Sequence, residues 1–173
     1  RLLDPSAGLT GPANVSIQMR EDGTDKTTSF VVAADLSRIQ STDAMLARLL
    51  PGASLHGLVT VIASGARLND LQGQLAGGKI AFTGNAAIGA GIHADLGLNA
   101  SDLAVLRPDL KGKVQARIVY DTTAATPIEV EAKASDVVAG GYSWQAITLN
   151  GSVDPAGSGA IVLKSDGGEA LGQ

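Results

Sequence analysis

Apolar and polar residues alternate through most of this 173-residue chain. The pattern is clearest in residues 114–121, where Val114, Ala116, Ile118 and Tyr120 occupy every second position. A period of two is that of a β-strand, because successive side chains of a strand point to opposite faces of the sheet. The chain is therefore predicted to form strands that share one apolar face.

Short turn sequences separate the alternating segments. Gly, Asn and Asp are favoured in such turns because they tolerate the backbone angles that tight hairpins require. The predicted turns are Asp22–Gly23, Gly77–Gly78, Gly89–Gly91, Gly140–Gly141, Asn150–Gly151 and Asp154–Gly157. Together they predict an all-β fold of about ten strands.

Two segments depart from alternation. In the first segment, residues 42–50, the capping sequence Ser41-Thr42-Asp43 precedes an apolar run that ends before Pro51. Residues 101–108 form a shorter version, with Asp102 at the start and Pro108 at the end. Ser, Thr and Asp cap helix N-termini, and Pro stops a helix, so each segment is predicted to be a short helix.

The two predicted helices belong to an internal repeat. Ala34-Asp35-Leu36, a helix, Pro51 and a strand are followed by Ala94-Asp95-Leu96, a helix, Pro108 and a strand. The copies cover roughly residues 30–90 and 91–155, which predicts stacked units. Residues 1–173 are expected to be one fragment of a longer array. So long a sheet with one apolar face must curl to shelter that face, either into a two-sheeted sandwich or into an elongated, curled trough with an apolar concave face.

Composition excludes several functions. The chain has no Cys, and its two histidines, His56 and His93, lie in separate predicted strands, so no metal site is expected. The net charge is −4 and the basic residues are scattered, which argues against a nucleic-acid partner. No apolar run is long enough to span a bilayer as a helix. We expect no cofactor and no enzymatic activity.

Three motifs match functional patterns, and each also has a simpler interpretation. Residues 73–79 match G-x-x-x-x-G-K, but Ile80 replaces the required Ser or Thr and a strand follows, so a Gly-Gly hairpin is favoured over a nucleotide site. Glu129 and Glu131 are interpreted as a solvated stripe rather than a hydrolase pair. Asn14, Asn99 and Asn150 begin N-x-[ST] sequences, for which turn chemistry at strand ends is favoured over glycosylation.

Several segments resemble the TamB proteins, within the broader AsmA-like group. Residues 106–114 resemble the unit L-x-P-x-L-x-G-x-L of that family, and residues 75–84 resemble its L-x-G-G strand motif. Residues 140–151 resemble the strand pair that follows. The resemblance covers roughly residues 30–155.

The resemblance implies a fold and a function. TamB proteins are anchored in the inner membrane of Gram-negative bacteria and cross the periplasm, and their sheets curl into a half-pipe called a β-taco. They work with an outer-membrane barrel of the Omp85 class in phospholipid transport and outer-membrane protein assembly. The expected role is therefore to carry phospholipid acyl chains along the concave face.

No catalytic residue is implied by the resemblance, so the expected site is the inward apolar stripe. It consists of Val15, Ile17, Met19, Phe30, Val32, Val59, Val61, Ile80, Phe82, Ile92, Ala94, Leu96, Leu98, Val114, Ala116, Ile118, Tyr120, Ile128, Val130, Ala132, Ile161 and Leu163. Two alternatives stay open. One is a scaffold that assembles outer-membrane proteins by adding strands to its sheet edges. The other is an adhesin-like repeat with a filled core. Pairing of two copies through their sheet edges is also expected.

Overall fold

A computed structural model describes residues 8–22, 27–154, 156, 158–166 and 168–172, without the side chains of residues 22 and 168–172. It contains eleven β-strands in a single sheet. They are β1 (Asn14–Asp22), β2 (Thr27–Asp35), β3 (Ser54–Ile62), β4 (Gly65–Leu75), β5 (Ile80–Ile88), β6 (Ile92–Ala100), β7 (Lys111–Asp121), β8 (Ile128–Ala139), β9 (Tyr142–Val153), β10 (Gly159–Ser165) and β11 (Gly168–Gly172).

Each strand pairs antiparallel with the next one along the chain, so spatial order equals sequence order from β1 to β11. The sheet is curled and unclosed. The all-β prediction is confirmed. The predicted turn at Asn150–Gly151 is wrong, because both residues lie inside β9 and pair with Val162 and Ile161 of β10. Paired neighbours on both sides of β9 outweigh the local turn preference of Asn-Gly.

Helical structure is confined to single turns. The helix predicted over residues 42–50 is reduced to α1 (Leu46–Leu49), and the second is a 3₁₀ turn, Leu103–Val105. A further 3₁₀ turn covers Ala76–Gly78. So short a helix is unstable alone and depends on capping and packing. Of the predicted capping residues, Asp43 accepts backbone N–H bonds from Met45 and Leu46, and Asp102 accepts one from Ala104. Within the described residues, no helix is long and apolar enough to cross a membrane.

Two similar β-bulges interrupt the ladder. Each inserts an extra residue near an aspartate with left-handed backbone angles, Asp70 in β4 (φ 51°) and Asp136 in β8 (φ 53°). Opposite them lie Gly57 and Gly112, which occupy equivalent positions in the two sequence copies. A Cβ on Gly112 would approach the carbonyl oxygen of Ser135 to 2.8 Å. Because bulges bend a strand and increase its twist, these two sites favour a curled sheet.

Buried side chains lie mainly at one end of the strands. Among the described residues, the buried apolar ones are Ala53, Ala76, Ile80, Ala100, Leu103 and Val137, and no large side chain is fully enclosed. The chain exposes 11331 Å² of surface, whereas a compact monomer of its mass would expose about 7,900 Å². The sheet is therefore not folded around a filled core.

Candidate functional site: the apolar face

The register of the sheet puts every predicted lining residue on one face, which we call the apolar face. One row of directly paired residues crosses the strands from β1 to β10: Val15, Ala34, Leu55, Gly73, Phe82, Leu98, Ala116, Ala132, Leu149 and Leu163. A second row runs from Met19 through Phe30, Val59, Leu68, Ala86, Ala94, Tyr120, Ile128 and Val153 to Gly159. The remaining lining residues fall in neighbouring rows of the same face.

Much of the apolar face is accessible to solvent. In β1, Val15, Ile17 and Met19 are each more than 60% exposed. In the middle of the sheet, Leu96 and Ile118 pair directly and remain 42% and 43% exposed. Contiguous apolar patches that face water mark sites of interaction with another molecule or a lipid.

Glycines on the apolar face are covered by neighbouring side chains. The ring of Phe82 lies over Gly73, where an added Cβ would come within 2.1 Å of the ring. In the same way Leu96 covers Gly84, where an added Cβ would lie 2.5 Å from a Leu96 methyl group. Large side chains that fill the space beside glycines keep the face continuous and stabilise the sheet there.

One margin of the apolar face, the capped end, is covered by the longer connections. Ile80, Ala100 and Leu103 form a buried cluster there, which we call the end cluster. Partly buried side chains pack around it, namely Leu49, Leu75, Val105, Leu106, Leu110 and Val114. Backbone hydrogen bonds fix the connections to one another, from Gly77 N–H to the Pro51 carbonyl and from Ser101 N–H to the Lys79 carbonyl.

The opposite margin, the open end, carries short polar hairpins. Here Ile88 is 56% exposed and Ile92 is 42% exposed. The hydroxyl of Thr122 accepts a hydrogen bond from the Ile92 N–H at 2.9 Å. His93 Nδ1 lies 3.2 Å from the carboxylate of Asp121. This margin therefore combines exposed apolar side chains with polar groups.

The other face of the sheet is more polar and carries an ion pair between β6 and β7. Arg117 donates two hydrogen bonds to Asp95, from Nε to Oδ1 at 2.9 Å and from a terminal nitrogen to Oδ2 at 2.6 Å. The bond from Arg117 lowers the pKa of Asp95, and the same bond raises the pKa of Arg117, with Glu131 and Glu129 adding to that rise. The arrangement is a surface ion-pair network rather than an acid–base pair.

The G-x-x-x-x-G-K segment and the two histidines do not have the geometry of a reactive site. Residues 73–79 run from the end of β4 through the 3₁₀ turn, and β5 follows directly, so no helix begins after the Gly-Lys sequence. His93 and its neighbour Asp121 are on the polar face, while His56 lies three strands away in β3. Within the described part of the chain, no group of acidic and histidine side chains could hold a metal ion.

The sequence patterns missed part of the apolar face. Leu55, Leu68, Leu71, Leu75, Ala86, Ile88, Ile147, Leu149 and Val153 also lie on it. In β4 the bulge at Asp70 shifts the alternation from even to odd positions, so no single period of two connects Leu68 with Leu71. In β9 the alternation of Ile147, Leu149 and Val153 was present, and a wrongly placed turn at Asn150 concealed it.

Among the predicted lining residues, Ile80 differs from the rest, since it is 5% exposed and belongs to the end cluster.

Comparison with family models, curated proteins and solved structures gave no match to this chain. The exposed apolar face of the sheet and the TamB-like sequence segments are therefore the basis for a function.

Proposed function

We propose that the apolar face is the concave wall of a lipid conduit, and that it carries phospholipid acyl chains between the inner and outer membranes of a Gram-negative envelope. The observation that carries the proposal is the row of exposed or partly exposed apolar residues that continues across the strands from β1 to β10. A continuous apolar surface lets a bound chain slide from strand to strand without crossing a polar barrier.

Energetics support an apolar ligand. Exposed apolar surface costs about 25 cal/mol per Å² relative to burial. An acyl chain gains about 0.8 kcal/mol for each CH₂ that leaves water. A shallow, half-open surface recovers only part of that gain at any one position. Weak, distributed binding of this kind is what transport requires, since the lipid must also leave.

The cellular setting of the proposal comes from the TamB-like segments. The complete protein would be anchored in the inner membrane, cross the periplasm and meet an Omp85-class barrel at the outer membrane. The segment described here would supply one part of the conduit and would perform no chemistry.

A second candidate function is the assembly of outer-membrane proteins by strand addition. The observation that favours it is β1, which forms ladder bonds only with β2 among the described strands. Its apolar side chains, Val15, Ile17 and Met19, are the most exposed group on the apolar face. An unprotected edge with apolar side chains can accept an extended client strand or the edge of a second copy.

The test is native mass spectrometry of the protein purified without detergent, combined with lipid extraction. We expect co-purified phospholipid with the natural sequence and its loss with Ile118→Arg or Leu96→Arg, because a guanidinium on the apolar face opposes acyl binding. The matched control is Gln115→Arg, an exposed position of the same strand β7 on the polar face. This variant should retain its lipid.

Circular dichroism must show that all three variants are folded. Lipid retained equally by folded Ile118→Arg and Gln115→Arg would refute the proposal. A lipid-free natural protein that also takes up no added phospholipid would refute it as well. Peptide bound along β1 in that case would support the assembly scaffold.

A further inference from the structure

We infer that a phospholipid on the apolar face lies along the strands, with its headgroup at the open end and its acyl chains directed toward the end cluster. This inference rests on the proposed function and adds an orientation to it. The two margins of the apolar face differ in burial, the uncovered part of the strands is long enough for acyl chains, and polar groups lie at the edge of the open end.

In the middle of the sheet, the outermost residues of the two margins differ in burial. At the capped end, Ile80, Ala100 and Leu103 are 5%, 2% and 8% exposed. At the open end, Val61, Ile88 and Ile92 are 47%, 56% and 42% exposed. A headgroup at the capped end would have to displace packed leucines to let its chains reach the face. At the open end no such barrier covers the isoleucines.

The length of the strands suits a lipid in this orientation. A strand of nine residues, such as β5 or β6, extends about 30 Å at 3.3 Å per residue. The end cluster occupies the last residue or two of these strands, which leaves more than about 20 Å of open apolar surface. The acyl chains of one membrane leaflet span about 15 Å, half of a 30 Å hydrocarbon core. They fit between the open end and the end cluster.

The open end also offers partners for a zwitterionic phosphodiester headgroup. A surface cavity of about 250 Å³ lies across the edge of the sheet there. Ile88 and Ile92 line it from the apolar face, and Arg67, His93 and Asp121 line it from the polar face, with Ser64 and Thr123 beside them. A headgroup meets these polar groups around the hairpin that joins β5 and β6. Within the described residues, Arg67 forms no ion pair, so its guanidinium is free to meet a phosphate. Asp121, which faces the same cavity, repels phosphate and favours a headgroup that also carries an ammonium group.

Charge does not distinguish the capped end, although two of its cations are paired. Lys79 contacts Asp102 at 2.8 Å, and Arg107 contacts Asp109. Lys111 and Lys113 begin β7 at the same end and form no ion pair within the described residues. What distinguishes this end is its cover, because Leu103 belongs to the end cluster and Leu106 packs against it. The capped end is therefore the end that receives the hydrocarbon.

Strand β6 supplies a matched pair of reporter positions. Ile92 and Leu98 are both on the apolar face and both 42% exposed, and they lie six residues apart, about 20 Å along the strand. The chain has no Cys, so Ile92→Cys and Leu98→Cys each accept a single small fluorophore. Each labelled protein is mixed with phosphatidylethanolamine that carries a nitroxide either on its headgroup or near the end of an acyl chain.

We expect the headgroup nitroxide to quench the label at Ile92→Cys at least twofold more than the label at Leu98→Cys. The acyl-chain nitroxide should give the reverse order. Equal quenching at both positions, or the opposite order, would overturn the orientation while leaving lipid binding established. If neither lipid quenches either label, lipid binding itself fails, and the proposed function fails with it. Circular dichroism of the labelled proteins confirms that both are folded.

Discussion

The capped end and the central part of the apolar face are made of the same kinds of residue, yet one is a core and the other is a surface. Ile80 and Ile118 lie on the same face of one sheet, and they are 5% and 43% exposed. The difference comes from what covers them. Around Ile80 the connections 36–53 and 101–110 fold back and bring Leu49 and Leu103 into contact with the sheet.

The sheet and its proposed ligand surface are therefore stabilised separately. The end cluster and the ladder hydrogen bonds hold the strands together at the capped end. The central face contributes less to the fold, since its side chains remain half in water. A protein built in this way keeps its shape while an apolar surface stays available.

The largest difference in the free energy of unfolding is expected between Ile80→Ala and Ile118→Ala. Removing a buried isoleucine side chain costs about 2–4 kcal/mol. The same change at the half-exposed Ile118 should cost about 1 kcal/mol or less. Denaturant titration followed by the fluorescence of Trp144 measures both. Equal losses would show that the central face is as tightly packed as the end cluster and would contradict the comparison.

A smaller effect is expected from two glycines of the apolar face. Gly73→Ala would place a Cβ about where the Phe82 ring lies, 2.1 Å from its nearest atom, so the ring must move. We expect a loss of about 1–3 kcal/mol. At Gly151 the nearest atoms to an added Cβ are 3.6 Å away, so Gly151→Ala should be close to neutral. Similar midpoints for the two variants would show that Phe82 does not need Gly73.

The smallest effect is expected on the polar face, from Asp95→Asn. The hydrogen bond from Arg117 lowers the pKa of Asp95. Its stabilising contribution is therefore complete above the unfolded value of about 3.9 and declines as the pH falls through the lower folded pKa. For so exposed a pair the contribution should stay below about 1 kcal/mol.

Thermal unfolding measured between neutral pH and about pH 3 tests this. The natural protein should lose more stability on acidification than Asp95→Asn does. If stability falls with pH equally in both proteins, Asp95 does not contribute to the acid sensitivity of the fold. The apolar residues of the other face carry no charge and should leave the pH dependence unchanged, so Ile118→Ala serves as the control.

Alternation allowed most of the fold to be predicted. The segments around Val114–Tyr120 and Ile128–Ala132 gave both the strands and the face, because side-chain direction in a strand depends only on position. The capping roles of Asp43 and Asp102 were also readable, since a short acceptor before a helical turn acts locally. Failures came at Asp70 and Asn150, where a bulge shifts the period and where neighbouring strands override a turn sequence.

What the sequence alone determined is that the chain forms strands and, outside the Asp70 bulge and the Asn150 segment, which residues share a face, since both depend on the period of two. Only the tertiary structure decided which part of that face is covered. Ile80 at the start of β5 and Ile118 inside β7 both belong to alternating segments, and their burial differs because residues distant along the chain fold over one and not over the other. Coverage by distant residues leaves no local pattern, and it separates the core of this protein from its proposed lipid surface.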